Sequence, residues 1–86
     1  MKTLRIFISG KVQAVGFRFF AKSFAEKFNI KGFVQNMPNG DVLVVAQGKN
    51  TNLFLEVIRK GPPYSKVTNI VVMNTNEKEY VGFEIL

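Results

Sequence analysis

Apolar and polar residues alternate at the start of the chain. Leu4, Ile6 and Ile8 interleave with Arg5, Phe7 and Ser9, the period of a strand with one fully apolar face. A loop from Gly10 to Gly16 breaks the alternation. From Phe17 the spacing changes to steps of three and four, with apolar residues at 17, 20, 21, 24, 25 and 28. Lys22, Ser23, Glu26 and Lys27 take the other side, so the segment is predicted to be an amphipathic helix ending near Asn29. Lys31 to Met37 and Asp41 to Gln47 read as strands joined at Pro38-Asn39-Gly40. Pro pre-sets φ there, Asn and Gly tolerate positive φ, and the result is a hairpin.

Asn50-Thr51-Asn52 offers N-cap oxygens for a second helix whose buried stripe is Phe54, Val57 and Ile58. Arg59 and Lys60 suit its C-terminal dipole end, Gly61 its C′ position, and Pro62-Pro63 stop it. Val67 to Thr75 reads as a further strand and Val81 to Leu86 as a short final one. The order β-α-β-β-α-β plus a short C-terminal strand predicts an α+β, ferredoxin-like fold, with two helices on one face of an antiparallel sheet. Eighty-six residues suit a single domain over 1–86. Many unrelated activities use this fold, so function must come from the residues.

Composition narrows the chemistry sharply. Hydrophobic residues make up 47% of the chain, including nine Phe, enough for a real core. No apolar run is long enough to span a bilayer, and Met1-Lys2-Thr3-Leu4-Arg5 begins a strand pattern rather than a signal peptide. The expected location is the cytoplasm, and the expected state a monomer with no membrane partner. The chain has no Cys and no His, which removes disulfides, thiolate and imidazole metal ligands, and the Ser-His and Cys-His nucleophile systems. Its six carboxylates, Glu26, Asp41, Glu56, Glu77, Glu79 and Glu84, are scattered and form no acid–base or metal pair in the sequence. Any catalysis must therefore rest on positioning and fixed positive charge. Twelve Lys and Arg against six acids give a net charge of +6, which fits either an anionic partner or a solvated basic surface.

A loop that opens directly onto a helix suits an anion, because the first helical N–H groups lack intrahelical partners and the dipole end is positive. In Val12-Gln13-Ala14-Val15-Gly16-Phe17-Arg18 the backbone N–H groups of residues 13 to 18 are placed to curl around a phosphate. Arg18 adds a planar fork matched to its oxygens. By itself the loop reads more readily as a turn shaped by Gly10 and Gly16, with Arg18 on the surface. Asn36 lies on the strand that follows the first helix, near its end, where its amide could hold a water near the loop or simply begin the hairpin turn. Phe19 and Phe33 read as core, with substrate contact the alternative.

The segment Ile8-Ser9-Gly10-Lys11 followed by VQAVGFR resembles the first acylphosphatase signature, and GFVQNMPNGDVLVVAQG, Gly32 to Gly48, resembles the second. Gly61-Pro62-Pro63-Tyr64 and Val81-Gly82-Phe83-Glu84-Ile85 are also similar to that family, so the likeness covers essentially the whole chain. The resemblance implies hydrolysis of the carboxyl–phosphate bond of acyl phosphates to carboxylate and inorganic phosphate, without metal or cofactor. It implies phosphate binding by Gln13, Ala14, Val15, Gly16, Phe17 and Arg18, with Arg18 and Asn36 as the catalytic pair and Asn36 orienting the attacking water. The absence of His, Cys and paired carboxylates fits a transfer that needs positioning more than covalent help.

One position departs from the signature: Ala14 stands where the family has Gly. If φ at residue 14 is positive, Ala is strained there; if negative, it stiffens the loop. Reduced but present activity is expected. The alternatives are an acylphosphatase-like protein that binds phosphate with little turnover, the acylphosphatase-like domain of hydrogenase-maturation carbamoyltransferases, and an RNA-recognition module of the same element order. The end of the chain at Leu86 argues for a free-standing enzyme over the second. The third is disfavoured because Asp41 to Ala46 carries no aromatic residue to stack a base, so no nucleic acid partner is expected.

Overall fold

In the computed structural model, which describes residues 1–86, the elements follow in the order β1 (Lys2–Lys11), α1 (Phe17–Lys27), β2 (Lys31–Asn36), β3 (Val42–Gln47), α2 (Thr51–Lys60), β4 (Lys66–Asn76) and β5 (Phe83–Ile85). They build one sheet of order β4-β1-β3-β2-β5. The first four strands pair antiparallel in the ferredoxin-like arrangement. β5 joins the free edge of β2 in parallel, so the sheet is mixed where the sequence predicts antiparallel pairing throughout. The cause is the route of the chain. Residues 77–82 cross the sheet from the β4 edge to the β2 edge at the end where β2 begins, and the next strand runs alongside β2.

The alternation of β1 is realised by its register. Ile6 and Ile8 face the helices, opposite Val44 and Val42 of β3 and Val72 and Ile70 of β4. Against them pack Phe17, Ala21 and Ala25 of α1 and Phe54 and Ile58 of α2. Small Ala residues at the centre of α1 let the helix approach the sheet closely. Val57, predicted in the buried stripe of α2, is only half-buried, while Leu55 packs partly on the core. Asn50 does not cap α2 with its side chain. Its amide instead donates to the Phe28 carbonyl at 3.1 Å and ties the start of α2 to the end of α1.

β1 runs two residues further than the sequence predicts, through an irregularity between Ser9 and Gly10. Gly10 has φ 120°, and a Cβ there would stand 2.1 Å from the Lys66 carbonyl oxygen of β4. Only glycine fits this close approach, and the local bend redirects the strand towards the following loop. In the 37–41 turn Gly40 alone takes positive φ. Asn39 serves through its side chain, whose oxygen accepts from the Asp41 N–H at 3.0 Å.

Candidate active site

Residues 12–16 join β1 to α1. Ala14 at φ 59° and Gly16 at φ 79° are both left-handed, and their alternation with ordinary residues makes the loop concave. Gly16 is also the N-cap of α1, without a side-chain cap. The first intrahelical bond runs from Phe20 N to Gly16 O at 3.0 Å, and no backbone N–H from residue 13 to residue 19 donates to a protein acceptor. Consecutive unpaired donors at the positive end of a helix form an anion cradle.

The cradle opens into a cavity of about 110 Å³ lined by Val12, Ala14, Gly16, Phe17, Arg18, Phe19 and Asn36. Arg18 is the second residue of α1 and takes part in none of the ion pairs, which join Arg5 to Glu77, Lys22 to Glu26 and Arg59 to Glu56. Its Nη1 donates to the Leu86 carbonyl at 3.2 Å. That contact orients the guanidinium. Asn36, the last residue of β2, is half-buried. Its side-chain amide makes no protein hydrogen bond and lines the cavity, free to hold a water. A larger cavity of about 490 Å³ beside Phe33, Lys78 and Tyr80 contains neither Arg18 nor Asn36.

Ala14, Gly16, Phe17, Arg18 and Asn36 are thus brought together, across 22 positions of sequence, by the packing of α1 against β2. Gln13 and Val15 do not line the cavity, although their backbone N–H groups are likewise without a protein acceptor. Val15 packs partly on the core. Gln13 turns its side chain to the hairpin and donates to the Met37 and Asp41 carbonyls at 2.8 and 2.9 Å. The reading of Phe19 as core is corrected: it is 74% exposed and lines the cavity. Its place off the 17, 20, 21, 24 stripe was the available signal. Phe33 lies elsewhere, edge-on to Tyr80 at 5.7 Å between ring centroids. Neither Gln13's side-chain bonds nor Leu86 beside Arg18 carried a sequence signal, because both contacts are long-range.

A ferredoxin-like sheet, a strand-to-helix loop of unpaired N–H groups and a guanidinium free of carboxylate side chains define an α+β domain with a compact, electropositive site. The acylphosphatase family model matches residues 4–85. An acylphosphatase of Archaeoglobus fulgidus is 39% identical over 87 residues, covering 99% of this chain and 98% of that one. The crystal structure of acylphosphatase from Bacillus subtilis has a TM-score of 0.92 and 38% identity, covering 100% of this chain and 99% of that one. Full-length HypF in its phosphate- and nucleotide-bound form matches with a TM-score of 0.84 and 36% identity, but only 12% of that chain is covered. This chain belongs to the acylphosphatase family.

Proposed function

We propose that this protein hydrolyses acyl phosphates by holding the phosphoryl group in the 13–19 cradle while Asn36 orients the attacking water. The single observation that carries the reading is the convergence of unpaired loop N–H groups, Arg18 and the free Asn36 amide on one small cavity. Arg18 and the loop amides hold the phosphoryl oxygens and stabilise the charge spread over them as the bond to the acyl oxygen lengthens. Water oxygen bonds to phosphorus, the phosphorus–acyl oxygen bond breaks, and its electron pair leaves on the carboxylate. Both water protons remain on the phosphate product, so no base is required at the site. A carboxylate leaves readily and needs no general acid. The reading includes action as a single-domain cytoplasmic monomer without metal, cofactor, nucleic acid or membrane partner. Its chemical support is a chain with no His or Cys and dispersed carboxylates.

The test is loss of benzoyl phosphate on incubation with the purified protein. Arg18→Ala is expected to weaken competitive inhibition by inorganic phosphate severely. Asn36→Ala is expected to lower kcat by about 10²–10³-fold, the usual loss for a transition-state-positioning group, while phosphate still binds. Full rate in Asn36→Ala would show that Asn36 does not place the water.

A further inference from the structure

We propose that Gln13 is a positioning residue that sets the distance between the anion cradle and Asn36. The proposal rests on the acyl phosphate reading and concerns the same site. Asn36 and the cradle sit on elements that do not pair with each other: β1 and β2 are separated in the sheet by β3. Gln13 supplies the one side-chain hydrogen-bond link between the loop and the 37–41 turn. Its Nε2 uses both protons, one on the Met37 carbonyl at 2.8 Å and one on the Asp41 carbonyl at 2.9 Å.

Those two carbonyls are the two ends of the turn. Met37 N also donates to Asp41 O at 2.8 Å, and Gly40 N donates to Met37 O at 3.1 Å. The Gln13 amide therefore grips a turn that is already closed, and Met37 is the residue next to Asn36. A loop amide held on a rigid turn fixes where the neighbouring Asn36 side chain stands relative to the phosphoryl group. The cradle's own curvature comes from residues 14 and 16 and from the α1 terminus, so it does not depend on this grip. Gln13 should accordingly act on water placement and leave phosphate affinity almost untouched.

Gln13→Leu removes both donors at similar volume, and Gln13→Glu keeps the shape but puts a carboxylate against two carbonyl oxygens. Each is made in the wild-type and Asn36→Ala backgrounds, and kcat with benzoyl phosphate, inhibition by inorganic phosphate and Tm are measured. Gln13→Leu is expected to lower kcat by about 10–100-fold, the scale of a misplaced catalytic geometry, with the phosphate inhibition constant changed by less than about threefold. In the Asn36→Ala background it should cost almost nothing further, since residues acting through one another are not additive.

Gln13→Glu is expected to be slow at pH 7 and to regain rate as the pH falls. Its protonated carboxyl can donate to one of the two carbonyls, whereas the wild-type rate has no such rise. This comparison is made within one folded variant and decides the matter even if Gln13→Leu fails to fold. Multiplying losses in the double variant, or equal losses of phosphate affinity and rate, or no recovery of Gln13→Glu at low pH, would overturn the proposal. Absence of hydrolysis by the wild type, or full rate in Asn36→Ala, would instead bring down the reading beneath it and the proposal with it.

Discussion

Ala14 holds a left-handed conformation, φ 59°, that a glycine would adopt without strain. An alanine there costs roughly 1 kcal/mol or more, because Cβ crowds the following carbonyl. The residue is exposed and lines the cavity. The loop thus keeps its anion-binding curvature at the expense of local strain. Ala14→Gly is expected to raise kcat/KM by giving the phosphoryl group more room. It should also raise Tm, by up to about 4–8 °C for about 1 kcal/mol of relieved strain. Equal kcat/KM in the two proteins would show that the methyl group is harmless to catalysis. From the sequence, position 14 is legible as a departure but its sign is not, since φ is a property of the folded loop. Phe19 is different: its residue type suggests burial, but its place off the 17, 20, 21, 24 stripe already sets it on the exposed side of the helix.

At the scale of elements, the two helices and the first four strands are legible because their apolar spacing is continuous and their boundaries carry Gly, Pro and Asn. α1 places Arg18 because Phe17, Ala21 and Ala25 face the sheet, which leaves the adjacent position directed along the rim of the cavity. α2 never touches the site but anchors the edge that carries Leu86. Fully buried Phe54 packs edge-on against Phe83 of β5 at 6.0 Å between ring centroids. Phe54→Ala is expected to destabilise the protein by about 3–5 kcal/mol, the usual cost of emptying a buried aromatic site, measured by urea unfolding. A loss below about 1 kcal/mol would mean that the core closes around the gap. The capping oxygens predicted for α2 mark the helix start correctly but make no cap there, because Asn50 bonds as a donor through its amide nitrogen. Asn50 does form a side-chain bond near the helix start, but to the neighbouring helix's last turn.

Across the whole molecule, residues 77–82 strap the sheet face opposite the helices. Arg5 on β1 grips Glu77 through Nε at 2.6 Å and Nη2 at 2.8 Å, while Thr75 and Tyr80 hydroxyls donate to the same carboxylate at 2.6 and 2.9 Å. The hydrogen bond from Arg5, then that from Thr75, pulls the Glu77 carboxyl from its ordinary 4.5 down to about 2. A depressed folded-state pKa favours the native state above the unfolded value, and that stabilisation is lost as pH falls through the folded one. The network's contribution is therefore complete above pH 4.5 and fades between 4.5 and about 2. Glu77→Gln is expected to melt lower than the wild type at pH 7, with the difference shrinking through that acid window. A constant difference would show that Glu77 acts only by its size. The sequence by itself determined the element order, the helix and strand faces, the loop that meets a helix N-terminus and the absence of His and Cys. All of these follow from local spacing and residue chemistry. Only the tertiary structure decided that β5 lies parallel to β2, that Ala14 is left-handed, that Leu86 faces Arg18 and that Gln13 grips the turn beside Asn36. Those contacts join residues far apart in the chain, and their geometry exists only once the sheet and helices have packed.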